Sequence, residues 1–315
     1  MSKRWLERSK AAIRWVVVFA TVAVLFRVGT TYGSDLKAID LNFELSWLIT
    51  SAVATTAANL LLPLGWRRIV ISFDQVLSAS RAVRLWCLAQ SARYLPTGLV
   101  AVASRLQLAA KAGISRSITA SSIAIETAVL FGWALLTCVI FVPSTTLPQA
   151  TRWLAGLSCA LGLVASPWLV PLLSQRLSLV KRLSLPPSHP RRIAEGVGLL
   201  GASVAARAIG TTCLAMSFLN LTSNDIPLIV GASYAGVAAG MVGITPAGLG
   251  VREGVIAAVL ASRFGLAEAS AFALVSRAWE FGFEMAFLGA ASWWGRDRQQ
   301  KHGSSKDSSI PQAKL

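Results

Sequence analysis

The chain has 315 residues, 54% hydrophobic and 14% charged, and its 30 Lys and Arg against 14 Asp and Glu give a net charge of +16. A soluble domain carries about 25% charged residues, and neither a disordered nor a collagen-like chain is this apolar. With a mean hydropathy of +0.60, this is the sequence of an all-α polytopic membrane protein, whose basic excess concerns the side of the bilayer rather than nucleic acid.

Lipid offers no partner for backbone N–H and C=O groups, so each crossing must be a helix of about 20 mostly apolar residues. Six segments fit: 13 to 33, 46 to 66, 117 to 142, 153 to 173, 193 to 221 and 268 to 294. Lys3, Arg4, Arg8, Lys10 and Arg14 lie before or at the start of the first. Its apolar run is too long for a signal peptide and no A-x-A site follows, so it is expected to be an uncleaved helix with a cytoplasmic N-terminus. Trp47 and Trp66 bracket the second span as interfacial aromatics do. The loop at 34 to 44, with Asp35, Asp40, Glu44 and one lysine, is then external. Arg67, Arg68, Arg81 and Arg84 follow the second span, and Arg176, Lys181, Arg182, Arg191 and Arg192 fill the loop after the fourth, both on the cytoplasmic side. From 295 onward a polar tail with Arg296, Arg298, Lys301 and Lys306 is expected to be disordered and cytoplasmic. The first 294 residues read as one integral membrane domain.

Two apolar stretches are not simple spans. Residues 85 to 110 contain Arg93, Pro96 and Arg105, and residues 226 to 264 are interrupted at ITPAGLG. Proline removes a backbone donor and disfavours helix at the residue before it, so both stretches should break. The breaks share a pattern, Pro96-Thr97-Gly98-Leu99 and Pro246-Ala247-Gly248-Leu249. Each leads into a short apolar helix, a glycine (Gly113, Gly265) and a long span holding a glutamate (Glu126, Glu280). This is a candidate internal repeat, with halves at about 46 to 142 and 193 to 294. If each stretch is a re-entrant hairpin, the first entering from the cytoplasm and the second from outside, the sidedness of every loop is consistent and the repeat is inverted. Two ordinary proline-kinked spans remain the alternative. Gly248-Leu249-Gly250 is followed by Glu253 where a dinucleotide fingerprint needs its third glycine, so that site is rejected.

A charge at the centre of a membrane helix costs roughly 2.5 to 3.5 kcal/mol on insertion scales, so such residues face a partner or a wet cavity. Arg27, Arg93, Arg105, Glu126, Arg207, Arg252, Glu253, Arg277, Glu280 and Glu284 all lie within or at the mouths of apolar segments. Arg277, Glu280 and Glu284 share one helix face and can pair along it; Arg27 and Arg105 can snorkel. Arg93 beside one break, and Arg252 with Glu253 beyond the other, point instead to a polar, net cationic pocket whose guanidinium groups hold phosphate or carboxylate oxygens. Cys87, Cys138, Cys159 and Cys213 read as packing residues, and two histidines, His189 and His302, do not make a metal site. No cofactor is expected.

At ARYLPTGLVAVASRLQLAAKAGIS (92 to 115), the Glu126 span and ITPAGLGVREGVIAAVLASRFGL (244 to 266), the sequence resembles the flippase-like membrane domain family, the transmembrane region of lysylphosphatidylglycerol synthase and its stand-alone relatives. The resemblance covers about residues 10 to 295. It implies a polytopic domain with re-entrant helices that moves lipids between leaflets of a bacterial or archaeal cytoplasmic membrane. It carries over to Arg93, Pro96, Gly98, Arg105, Glu126, Pro246, Gly248, Gly250 and Glu253; Tyr94, Arg207, Arg252, Arg277 and Glu280 complete the expected substrate-binding set. Synthases of this family carry a large aminoacyl-transfer domain after the membrane region. This chain ends at 315, so it is expected to lack synthase activity, any lipid modification being left to a separate enzyme. Membrane lipids are the expected partners.

Two other classes compete with a lipid translocase. An integral-membrane lipid-phosphate transferase would want clustered carboxylates for a hard cation, and the nearest approach is Glu280 with Glu284. A secondary transporter of a small anion shares the inverted-repeat logic. A nucleotide-driven pump is not expected, because GxxxxGK[ST] is missing.

Overall fold

A computed structural model describes residues 43–90, 92, 98–142, 148–176, 186–242 and 246–307. The expected span at 13 to 33 with Arg27, and Arg93, Tyr94 and Pro96, lie outside these. The described residues form nine helices: α1 (Leu45–Ile71), α2 (Ala79–Gln90), α3 (Gly98–Lys111), α4 (Arg116–Phe141), α5 (Gln149–Arg176), α6 (Pro190–Met216), α7 (Ile226–Val242), α8 (Val251–Phe264) and α9 (Leu266–Asp307). Among the described residues five helical stretches are long and apolar enough to cross a membrane: Leu45–Ile71, Arg116–Phe141, Gln149–Leu172, Pro190–Met216 and Ser223–Val242. The last of these begins one of the two interrupted stretches. The helix at 266 to 307, expected to span at 268 to 294, is not among the five, since Arg277, Glu280 and Glu284 lie within its apolar part.

The centre is the antiparallel pair α1 and α6. Glu44 N–H donates to Ser217 O at 2.8 Å at one end, and His189 N–H donates to Ser72 O at 2.9 Å at the other. Small residues let the two backbones approach, as membrane helix pairs require. A Cβ on Gly65 would lie 2.8 Å from the Leu200 side chain, and one on Gly196 would lie 3.1 Å from Gly65 O. Ser51 Oγ donates to Gly210 O and Ser203 Oγ to Ala58 O, at 2.7 and 2.8 Å. Helix α5 is peripheral and shows Trp153, Leu157, Leu161, Val164 and Trp168 outward.

The order long helix, two shorter helices, long helix occurs twice, as α1 to α4 and as α6 to α9, with α5 between. The helices that open the two runs, α1 and α6, are antiparallel. Helices α2 and α3 have their outer ends at the Ile71 end of the bundle, where Phe73, Leu77, Ala109, Ile114 and Ile118 share one core. Arg67, Arg68, Arg81, Arg84, Lys111, Arg116, Arg191 and Arg192 gather around this basic end. Helices α7 and α8 have their outer ends at the opposite pole. There Arg263 Nε and Nη2 donate to Asp225 Oδ1 and Oδ2 at 2.8 and 3.2 Å, and Ala215, Leu219, Ile229, Leu260 and Phe272 form a second core.

Two expectations need correction here. Trp66 is not an interfacial anchor but wholly buried, its Nε1–H donating to Ser122 Oγ at 3.0 Å; both its apolar ring and its one donor find partners inside. The span expected to run to 221 ends at Met216, and Ser217 to Thr222 form the turn into α7. Helix α9 runs past the end of the expected span, to Asp307. No proline interrupts that stretch, and Arg, Gln and Lys are good helix formers.

Candidate functional site

The second break is built from left-handed backbone. Ala247 has φ 53 and Gly248 φ 69 in a 3-10 turn that begins at Pro246, and Gly250 has φ 83. Glycine takes such angles without steric cost, alanine does not. Glu253 then closes the first turn of α8: Gly250 N–H donates to its Oε2 at 2.7 Å, which also sets a carboxylate at the positive helix end. Arg277 Nε lies 3.5 Å from Glu253 Oε1, and its Nη2 donates to Ala247 O at 3.3 Å. Arg277 and Glu253 thus hold the break itself and do not line the cavity beyond it.

That cavity has a volume of about 430 Å³ and lies between the inner ends of the two helix pairs. Trp86 and Gln90 of α2, Arg105 of α3 and Glu126 of α4 form one wall; Ala247, Gly248, Arg252, Glu280 and Glu284 form the other. Arg207 and Ser203 from α6 and Tyr234 from α7 lie between them. Each wall carries the same device. An arginine on the short helix after the break meets a glutamate on the following long helix: Arg105 Nη1 donates to Glu126 Oε2 at 2.6 Å, while Arg252 donates to both oxygens of Glu280 at 2.5 and 2.7 Å.

The surroundings of the two pairs differ. Glu126, 4% exposed, also accepts from Trp86 Nε1–H at 2.9 Å, and the Arg105 guanidinium sits over the Trp66 ring at 4.2 Å and near the Trp86 ring at 5.9 Å. Both distances are within reach of a cation–π attraction. Glu280 receives a second arginine, Arg207 Nη1, at 3.2 Å, and Arg207 Nη2 donates to Asn59 Oδ1 at 3.4 Å. Charges this buried persist because each meets an opposite charge and further donors.

Arg93, on which the expected net cationic pocket partly rests, lies outside the described residues. Three arginines (Arg105, Arg207, Arg252) face three glutamates (Glu126, Glu280, Glu284) in the wall. The sequence shows how many charges enter the membrane; packing then sets each arginine against a carboxylate from another helix. Glu280 likewise finds its arginines on α6 and α8, across helices.

Of the residues expected in a binding site, Arg105, Glu126, Arg207, Gly248, Arg252 and Glu280 come together in the wall. Pro246, Gly250, Glu253 and Arg277 build the turn behind it. Gly98 is the first residue of α3, and Arg93, Tyr94 and Pro96 lie outside the described residues. The sequence reading missed Trp86, Gln90, Ser203 and Tyr234. Trp86 and Gln90 left a usable signal: four apart on a helix that ends at a break, they share the face leading to it. Among the described residues no group of three or more His, Cys, Asp or Glu could hold a metal ion. No family model matches the chain, and no curated protein matches it.

Proposed function

We propose that this protein is a lipid translocase, carrying an anionic or phosphate-bearing head group between leaflets through the cavity while the acyl chains stay in the bilayer. The observation that carries this reading is the meeting of two helix pairs, inserted from opposite ends of the bundle, at a polar cavity with an Arg–Glu pair on each side. In this reading α2–α3 and α7–α8 are re-entrant hairpins of an inverted repeat, and 13 to 33 and α9 supply further crossings. The basic end is cytoplasmic by the positive-inside rule. Alternating access follows from rocking one half against the other about the fixed cavity. The resemblance to the flippase-like domain of lysylphosphatidylglycerol synthase points the same way.

The test is leaflet-resolved labelling of a fluorescent phosphatidylglycerol in proteoliposomes that hold the full chain. Exchange well above that of empty liposomes, slowed at least tenfold by Glu126→Gln or Glu280→Gln, is the expected result. Uptake of a water-soluble anion without lipid exchange would replace a lipid translocase with a small-anion transporter, and turnover of a labelled lipid phosphate would replace it with a transferase.

A further inference from the structure

A second hollow lies on the other flank of α9 and shares no lining residue with the charged cavity. It is an apolar groove of about 530 Å³ between α1, α6 and α9, with Phe43, Leu48, Leu214, Trp279 and Phe283 in its walls. Trp279 Nε1–H donates across it to Thr55 Oγ1 at 3.3 Å, and the Trp279 and Phe283 rings lie 5.2 Å apart. Small residues complete the α9 side. Ala278, Gly282, Ala286 and Ala290 recur every fourth residue, so they share one stripe, and all four are exposed. A Cβ on Gly282 would meet nothing within 4 Å. The outward face of α5 is built differently, from Trp153, Leu157, Leu161, Val164 and Trp168. Bulky side chains serve against lipid, whereas small ones let the backbone of another membrane helix approach.

The point where the described chain begins says which helix that is. Phe43 stands on the rim of the groove, its ring 5.3 Å from that of Phe218. The apolar run at 13 to 33 precedes it in sequence, and the ten residue steps from Gly33 to Phe43 reach at most about 35 Å. As a helix this run would be about 32 Å long, and a tether that short keeps it at an effective concentration in the millimolar range. Trp15, Phe19, Val22 and Phe26 fall at helical spacing on one of its faces, a bulky ridge for a furrow of small residues.

We infer that the groove is the seat of the chain's own residues 13 to 33, packed as a helix antiparallel to α1 and α9, with the Phe19, Val22 and Phe26 face against the Ala278, Gly282 and Ala286 stripe. The helix that carries Glu280 and Glu284 is then held from behind as well as by α8. This goes beyond the proposed translocation and does not depend on what the cavity carries.

The test is oxidative cross-linking of the full chain in its membrane, with Cys87, Cys138, Cys159 and Cys213 replaced by alanine and a protease site placed within 34 to 42. Gly282→Cys is combined in turn with Phe19→Cys, Val22→Cys and Phe26→Cys on the ridge, and with Val17→Cys, Val24→Cys and Val28→Cys on the opposite face. After cleavage, a chain cross-linked within itself keeps its full mass on a non-reducing gel. At least one ridge pair should cross-link tenfold or more above every pair from the opposite face, and Gly282→Cys alone should give no product of doubled mass. A second measurement leaves the rest of the chain native: benzoylphenylalanine in place of Phe283, activated by light, should insert into peptides from 13 to 33, and it decides alone if the cysteine pairs fail to accumulate. Cross-linking that does not distinguish the two faces would overturn the inference. So would insertion of the Phe283 probe into lipid only, which would make the groove a bed for acyl chains, or a doubled mass with insertion into another molecule, which would make it an interface between two copies.

Discussion

Arg252 and Glu280 meet face to face, two guanidinium nitrogens on two carboxylate oxygens, joining α8 to α9 beside the cavity. Removing one member of such a buried pair strands the other and costs about 3 to 5 kcal/mol. Glu280 also faces Arg207, so losing its charge leaves two arginines uncompensated; loss of Glu126 strands Arg105, which the Trp66 ring still supports. Glu280→Gln should therefore lower the thermal unfolding midpoint of the detergent-solubilised protein more than Glu126→Gln does. Circular dichroism melts decide it, and the reverse order would contradict the pairing.

Gly248 lies against Gly240 where the second break folds back on α7. A Cβ on Gly248 would be 2.9 Å from Gly240 Cα, and its φ of +69 is left-handed. Alanine there meets both problems, a backbone contact and a conformational cost of roughly 1 to 2 kcal/mol. Gly250, at φ +83 with nothing near its missing Cβ, meets only the second. Gly248→Ala should thus be clearly more destabilising than Gly250→Ala in denaturant titrations; equal losses would mean that the close approach contributes nothing.

Gly231 and Gly254 make a second contrast. A Cβ on Gly231 would come within 2.7 Å of Val142 N and 2.8 Å of Phe141 C, backbone atoms that cannot move aside cheaply, whereas one on Gly254 meets open space. Gly231→Ala should loosen α7 from the end of α4 and lower the melting midpoint. Gly254→Ala should raise stability by about 0.5 to 1 kcal/mol, the usual gain for alanine inside a helix. A stabilised Gly231→Ala would show that these helices are not in contact there.

The long helices α1, α4, α5 and α6 were legible because an unbroken apolar run of the right length is a property of the sequence alone. So was the second break, since proline and glycine act locally. Partners of the buried charges were not legible: Arg277, Glu280 and Glu284 fit a ladder along one helix equally well, and only the docking of α8 against α9 directs Glu280 to Arg252 and Arg277 towards Glu253. Trp66 misled for the same reason. A tryptophan near a helix end usually marks an interface, but here α3 and α4 cover it, bringing Arg105 and Ser122 to its ring and nitrogen.

The opposed insertion proposed for the two helix pairs is directly accessible to labelling. The α2–α3 pair begins and ends beside Asp74 and Lys111, at the end where His189 Nε2 and Asp74 Oδ1 lie 2.9 Å apart. The α7–α8 pair begins and ends beside Ser223 and Gly265, where Asp225 and Arg263 tie the two helices together. If both are re-entrant, the two ends of each pair lie on one side of the bilayer, and the two pairs lie on opposite sides. With Cys87, Cys138, Cys159 and Cys213 replaced by alanine, single cysteines at Asp74 and Lys111 should react with an impermeant maleimide only from the cytoplasmic side. Those at Ser223 and Glu268, just past the α8–α9 turn, should react only from outside. Labelling of Asp74 and Lys111 from opposite sides would make α2–α3 a single kinked span. The cavity would then lose one of its two inserted walls, and with it the structural basis for alternating access.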